Sequence, residues 1–216
     1  MIWFLADVHG GKDASGLEKY LKTREDGDLL IILGDMELYF GDSEENRAFS
    51  AWFENLDAPI AFLDGNHENF THLNGLPVEE RYGGKVHRLS DNIVHLMRGE
   101  IYTIEGKTFF VMGGCASSQK WKDLGLWWPE ESPDREEIAR AYENLKKHGD
   151  RVDYILTHTP KANIPSDDPY SLDGLFRYLA AEVDYKRWYA GHLHFSGEMD
   201  GRRTVVYTEP VALKEP

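Results

Sequence analysis

An α/β fold of the α+β kind, a two-sheet mixed β-sandwich flanked by helices, is what the sequence predicts, and three observations carry it. Several short runs are apolar throughout rather than alternating, which marks strands buried on both faces. Amphipathic stretches separate the early runs in a βαβα order, which demands layered packing. Later runs follow one another closely around a tight-turn sequence, which brings in antiparallel pairing. With 216 residues and roughly 150 residues per domain as a prior, the chain is expected to form one domain over 1–216.

The elements follow in order. Fully apolar strands are expected at 2–6, Leu29–Leu33, Ile60–Leu63, 109–112, 154–156 and 188–190, and further strands at Ile93–Leu96, Ile101–Ile104 and 205–207. Glu105-Gly106-Lys107 reads as a hairpin turn. Ser15 with Glu18, and Asp42 with Glu45, have the spacing of capping boxes ahead of Leu17-Tyr20-Leu21 and Phe49-Trp52-Phe53-Leu56. Ser132-Pro133 would open a third helix that carries Ile138, Ala141, Tyr142 and Leu145 on one face and stops at Gly149. Leu172, Leu175, Phe176 and Leu179 mark a fourth.

Charge and composition narrow the function. Lys+Arg 24 against Asp+Glu 38 gives a net charge of −14, which offers no basic footprint for a long nucleic acid and no attraction to an anionic membrane. No apolar run reaches the length of a membrane span, and no basic region precedes the apolar N-terminus. A single cysteine suits a reducing compartment. A cytoplasmic location is therefore expected. Nine histidines beside that one cysteine demand a reason.

Five of the apolar runs end in short loops that carry Asp, Asn or His: Asp7-Val8-His9, Gly34-Asp35, Gly65-Asn66-His67-Glu68, His158, and Gly191-His192-Leu193-His194. Ligands gather at the carboxyl ends of strands in α/β sheets, so the five loops are expected to converge. In an extended segment i and i+2 point the same way, which would pair Asp7 with His9 and His192 with His194. Asp, Asn and imidazole without thiolate suit first-row dications rather than a cysteine-based zinc site. Seven candidate ligands exceed the needs of one ion; two ions sharing a bridging carboxylate would use them all.

Taken together and in this order, the Asp-x-His, Gly-Asp, Gly-Asn-His-Glu, lone His and Gly-His-x-His motifs over residues 7–194 resemble the calcineurin-like metallophosphoesterase superfamily. The resemblance implies a two-sheet sandwich with a dinuclear metal centre. Asp7, His9, Asp35 and His194 would hold one ion, and Asp35 would bridge to a second held by Asn66, His158 and His192. His67 would be the non-ligand histidine that assists the leaving group. Two divalent ions are implied as cofactors, Mn²⁺ foremost, with Fe or Zn²⁺ also fitting the ligand types. The implied reaction is attack by a bridging hydroxide on a phosphomonoester or small phosphodiester. Two rival readings keep the same residues: a nucleotide pyrophosphatase or nuclease-like activity at nucleic-acid ends, and a catalytically idle protein that binds metal or partners. The partner expected is a small phosphoester, with no long nucleic acid and no membrane; the oligomeric state stays open.

The sequence departs from the superfamily at one position. Gly34-Asp35-Met36-Glu37-Leu38 places Leu38 where phosphoprotein phosphatases carry the Asp that orients the catalytic histidine. Small bacterial or phage-type members are the nearer resemblance, with Glu37 or Glu68 as substitute orienters. His72, His87, His95 and His148 lie outside the motifs and read as surface or core residues. Cys115 reads as buried and inert, near the site. Ser117 to Trp121 form either a substrate-facing loop or an ordinary polar one, and Trp127-Trp128 read as core packing. Glu130, Glu131, Asp134, Glu136 and Glu137 read as a solvated helix N-terminus.

Overall fold

Two stacked sheets deliver the strand ends on which the candidate ligands sit. The computed structural model describes residues 1–214. The chain begins β1 (Ile2–Leu5), α1 (Ser15–Thr23), β2 (Leu29–Leu33), α2 (Glu44–Glu54), β3 (Ile60–Leu63) and α3 (Phe70–Asn74). It continues through β4 (Val78–Arg81), β5 (Gly84–Arg88), β6 (Ile93–Leu96), β7 (Ile101–Ile104) and β8 (Lys107–Met112). Then come α4 (Gln119–Asp123), α5 (Arg135–Lys147), β9 (Tyr154–Thr157), α6 (Leu172–Glu182) and β10 (Arg187–Ala190). It closes with β11 (Gly197–Asp200), β12 (Arg203–Val205) and β13 (Val211–Ala212). The first sheet has the order β13-β1-β2-β3-β6-β5-β4 and the second β11-β12-β10-β9-β8-β7. Both are mixed: β1, β2, β3 and β6 run parallel, as do β8, β9, β10 and β12, with antiparallel strands at the edges.

The apolar runs have their explanation in three layers of core. Phe4, Ile31, Leu33, Ala61 and Leu63 face the other sheet and pack with Phe109, Val111, Tyr154, Leu156 and Tyr189; Phe4 and Tyr189 stack at 4.3 Å. The alternate residues Leu5, Leu30, Ile32, Ile60 and Phe62 point outward against α1, α2 and α3 through Leu17, Tyr20, Phe53, Phe70 and Leu73. On the far side Phe110, Met112, Ile155 and Trp188 meet α5 and α6. Strands buried on both faces have no polar side to alternate with. Each large side chain so buried contributes about 1.5–3 kcal/mol relative to exposure. Among the described residues no helix is long and apolar enough to cross a membrane.

Several boundaries differ from the sequence expectation. Helix α1 starts at Ser15, with Ala14 in the capping position and no side-chain cap. In α2 the cap is Ser43 rather than Asp42, its hydroxyl accepting from Asn46 N. Helix α5 opens at Arg135 behind a capping box of Asp134 and Glu137, not at Ser132-Pro133. In α2 and α5 the nearer side chain satisfies the N–H of the third helical residue. The strand expected at 205–207 is β12, shifted toward Arg203: Val206 N still donates to Ala190 O at the end of the neighbouring β10, whereas Tyr207 O accepts from Ala6 N after β1 of the other sheet. The Glu105-Gly106 turn is as expected: both residues take positive φ, the geometry of a two-residue hairpin loop.

Candidate metal centre

Asp7, Asp35 and Asn66 follow the adjacent strands β1, β2 and β3, while His158 and His192 follow the adjacent strands β9 and β10 of the facing sheet. Backbone bonds extend the pairing past the strands: Asp7 N donates to Gly34 O, His9 N to Asp35 O, and Gly191 N to His158 O. Two bonds then lock the sheets together. His158 Nδ1 donates to Leu33 O at 2.8 Å, and His192 N donates to Asp7 Oδ2 at 3.0 Å. Of the two i and i+2 pairs, Asp7 and His9 bring ligand atoms together, whereas His192 turns to His158 and His194 to His9; neither pair is an extended segment. Asp7, His9, Asp35, Glu37, His192 and His194 all have φ between 49° and 69°, a left-handed backbone uncommon outside glycine. Strain of this kind concentrates where the surrounding structure dictates it, typically at functional sites. The turn also needs bare backbone: a Cβ on Gly65 would lie 2.0 Å from Asp35 Oδ1, and one on Gly34 would lie 2.4 Å from His158 Nδ1.

The result is two overlapping groups of donors. Asp7, His9, Asp35 and His194 bring one ligand atom each within 4.8 Å of one another, and so do Asp35, His158 and His192. Asp35 belongs to both. At three donors, His158, Asn66 and His9, a hydrogen bond on the far side turns a proton away from the shared space. His158 donates through Nδ1 to a carbonyl, so in its neutral form Nε2 carries a lone pair; it faces Asn66 Oδ1 at 3.1 Å and Asp35 Oδ1 at 3.3 Å. Asn66 is fixed with its oxygen inward because Nδ2 donates to Ser117 Oγ at 2.9 Å. His9 Nδ1 lies 2.9 Å from Glu37 Oε1, which leaves Nε2 directed at His194 Nε2, 3.0 Å away. A histidine whose second nitrogen is held by a carboxylate or carbonyl is the usual setting of a metal-ligating imidazole. Converging lone pairs with no thiolate fit divalent cations of the Mn, Fe or Zn kind.

Electrostatics agree with that fit. Burial pushes the Asp7 carboxyl up to about 7, with the neighbouring Asp35 charge adding to it. Burial opposes ionisation of Asp35 as well, but the histidines His158, His67 and His9 hold it below the usual carboxylate range. Burial pulls His192 down to about 4, so it stays neutral and available as a ligand at pH 7. A bound cation reverses the penalty on Asp7, because opposite charge favours the ionised form.

The position of Leu38 is settled by packing: the side chain is buried in the cluster beneath α2 and α3. Glu37 lies beside the histidines instead. Its Oε1 is 3.7 Å from His67 Nδ1 as well as 2.9 Å from His9 Nδ1, and Lys12 Nζ reaches Oε2 at 3.2 Å. Glu68 has another role. It accepts from Met36 N, Glu37 N and Gly65 N, and so joins the second and third ligand loops. Burial raises its carboxyl well above the ordinary range.

Behind the Asn66-His67 loop lies a buried polar network that the motifs did not signal. Asp64 Oδ2 accepts from Arg98 Nε at 2.8 Å and Nη2 at 2.6 Å, and Oδ1 from His95 Nε2 at 3.1 Å. Arg98 also donates to Glu137 Oε2 and Glu130 O, and His87 Nδ1 sits 3.0 Å from His95 Nδ1. Arg98 holds the Asp64 carboxyl far below its usual range against the burial penalty. Arg98→Met should therefore strand a buried carboxylate and cost about 3–5 kcal/mol, read as a fall in urea midpoint at pH 7. A second expectation concerns acid. Burial, reinforced by His95, pulls His87 down to about 4 from 6.5. Below pH 6.5 the unfolded chain takes up a proton that the folded one refuses, so stability falls until pH 4 and is unaffected above 6.5. The loss is about 3 kcal/mol. The slope of unfolding free energy between pH 6.5 and 4 should be shallower in His87→Gln; equal slopes would contradict the assignment.

All seven expected ligands and His67 thus lie in one region. The remaining histidines divide: His87 and His95 are core polar residues as above, His72 Nε2 faces Glu54 at 3.7 Å away from the cluster, and His148 is at the end of α5. Cys115 is buried, its Sγ 3.7 Å from His192 Nε2, and burial pushes its thiol to about 12. Glu131 is not a solvated helix-end residue: it is 2% exposed, and its carboxylate accepts from Ser117 N at 2.6 Å, which in turn steadies Asn66. Trp127 and Trp128 are half-buried, Trp128 packing against the core beneath α2 and α3 with its Nε1 donating to Thr71 Oγ1.

The model of the calcineurin-like phosphoesterase family matches residues 1–196. No curated protein sequence matches the chain. One crystal structure superposes with a TM-score of 0.51 at 11% identity, covering 95% of this chain and 88% of that one, a likeness of fold. Another, described as "Putative 5'-Nucleotidase from Staphylococcus aureus in complex with alpha-ketoglutarate", superposes with a TM-score of 0.46 at 15% identity. There 95% of this chain covers 48% of that one, so the chain spans about half its length.

Proposed function

Because the chain belongs to the calcineurin-like phosphoesterase family and is accordingly a phosphoester hydrolase, we propose that it cleaves phosphomonoesters or small phosphodiesters at the strand-end cluster, using two divalent cations. The observation that carries this reading is the membership of Asp35 in both donor groups. One ion would be held by Asp7, His9, Asp35 and His194, the other by Asp35, Asn66, His158 and His192. Bound there, divalent cations supply Lewis-acid stabilisation of the phosphoryl oxygens and an acidified water.

The chain's own residues do the rest. Glu37 and the Leu33 carbonyl fix the tautomers of His9 and His158. Ser117 and Glu131 keep the Asn66 oxygen inward. His67, held at its backbone N–H by Asp35 Oδ1 at 2.9 Å, would deliver a proton to the leaving oxygen as the phosphorus–oxygen bond breaks and water's oxygen bonds to phosphorus. Burial lowers its basicity, so its protonated form is a stronger acid and, at neutral pH, a scarcer one. The −14 charge favours a small substrate over a long polyanion, and we place the protein in the cytoplasm on its free, buried Cys115. Hydrolysis of p-nitrophenyl phosphate and bis-p-nitrophenyl phosphate, each with and without Mn²⁺ after chelation, tests the reading. Metal-dependent release from either ester is expected. Absence of metal-dependent release from both would leave the idle, metal-binding alternative.

A further inference from the structure

We propose that Trp121, backed by Phe40 and Trp128, seats a planar ring carried by the substrate's leaving group, so that the site favours aryl or nucleoside phosphoesters over alkyl ones. The inference rests on the reading above that His67 meets the leaving oxygen. The Trp121 ring lies 4.3 Å from the His67 ring, centroid to centroid, in an edge contact. Phe40 closes the group at 5.5 Å from His67 and 6.4 Å from Trp121, and Trp128 stands 5.5 Å behind Phe40.

Packing does not account for Trp121. It sits on α4, which buries none of its residues, and it joins none of the three apolar clusters. A partly exposed tryptophan that stands outside the apolar clusters, yet touches the proposed acid, is placed to contact substrate. Position specifies what it meets. A general acid works within about 3 Å of the oxygen it protonates, so a group attached to that oxygen passes along the aromatic wall. Lys120 Nζ, 5.5 Å from the Trp121 ring, and Lys122 Nζ, 4.4 Å from the Trp127 ring, put positive charge on the same segment, where it offsets the acidic surface for an incoming phosphoester. Stacking a planar ring on an aromatic side chain is a sequence-tolerant contact whose loss reads as about ten-fold or more in affinity.

The test compares kcat/KM of wild type, Trp121→Ala and Trp121→Phe on phenyl phosphate, adenosine 5'-monophosphate and glycerol 3-phosphate. Trp121→Ala should lower kcat/KM about ten-fold, mainly through KM, for at least one ring-bearing ester, while glycerol 3-phosphate stays within about two-fold and Trp121→Phe recovers most of the loss. Loss on phenyl phosphate alone identifies an aryl ring bonded to the leaving oxygen; loss on the nucleotide alone identifies a base reached through the sugar. An equal loss on all three esters would make Trp121 a prop for His67, and no loss on any would make it a bystander; either overturns the proposal. Binding separates this failure from failure of the hydrolase reading. Mn²⁺-loaded wild type should bind at least one ring-bearing phosphonate, benzylphosphonate or the methylene phosphonate analogue of adenosine 5'-monophosphate, about ten-fold more tightly than butylphosphonate, and Trp121→Ala should lose that preference. That preference without turnover would sustain the seat and sink the proposed reaction; turnover without the preference would do the reverse.

Discussion

Asparagine in place of Asp35 should lower metal-dependent turnover by at least about 10²–10³-fold, the cost typical of removing one electrostatic stabiliser from a site, and should reduce the metal content of the purified protein. The reason is its shared position. Asp35 brings ligand atoms to both donor groups, and its Oδ1 also accepts from His67 N at 2.9 Å. The amide keeps the size and that backbone bond but removes the charge that two cations would share. The fold should survive, since Leu33 and Gly34 anchor the loop through His158 Nδ1 and Asp7 N. Elemental analysis together with a thermal melt checks both halves: a folded variant that retained full metal and full rate would exclude Asp35 as the bridge.

His67→Ala should behave differently. His67 contributes its ring and not a ligand atom to either donor group, so metal content should be unchanged while kcat falls about 10²–10⁴-fold, the range of a positioned general acid. The loss should grow with the basicity of the leaving group, small for p-nitrophenolate and large for an alkoxide, because a poor leaving group depends most on the proton. A loss independent of the leaving group would mean that His67 acts on the phosphoryl oxygens instead.

The two variants probe residues that were legible in the sequence, and the reason is physical. Strands buried on both faces must be apolar throughout, so a polar residue directly after such a run is conspicuous, and five such loops stood out. What joins the loops was less legible. The i, i+2 rule for extended chain paired Asp7 with His9 correctly but for the wrong reason, since left-handed backbone angles do the work. The sequence offers Glu37 and Glu68 alike as orienters, and distance separates them: Glu37 lies against His9 and His67, whereas Glu68 is spent on three backbone N–H groups.

Other features left no mark that a single sequence exposes. The Val78–Arg81 and Gly84–Arg88 hairpin has no continuous apolar run, because β4 is an exposed edge strand. Asp64 and Arg98 are 34 residues apart, and nothing in either segment announces the other. Glu131 stands among charged neighbours in a helix-start pattern, but a turn of 3-10 helix at Pro129–Glu131 directs it inward. In the sequence Trp121 is one residue of a polar loop; its contact with His67 is set by tertiary structure.

A titration of Mn²⁺ into chelated protein, following bound metal and p-nitrophenyl phosphate turnover in the same sample, decides whether two ions share Asp35. Two ions per chain, with turnover absent at zero occupancy and rising as both sites fill, is the expected result. Saturation at fewer than two ions per chain with full turnover, or undiminished turnover in the chelated protein, would contradict the two-ion site built on Asp35.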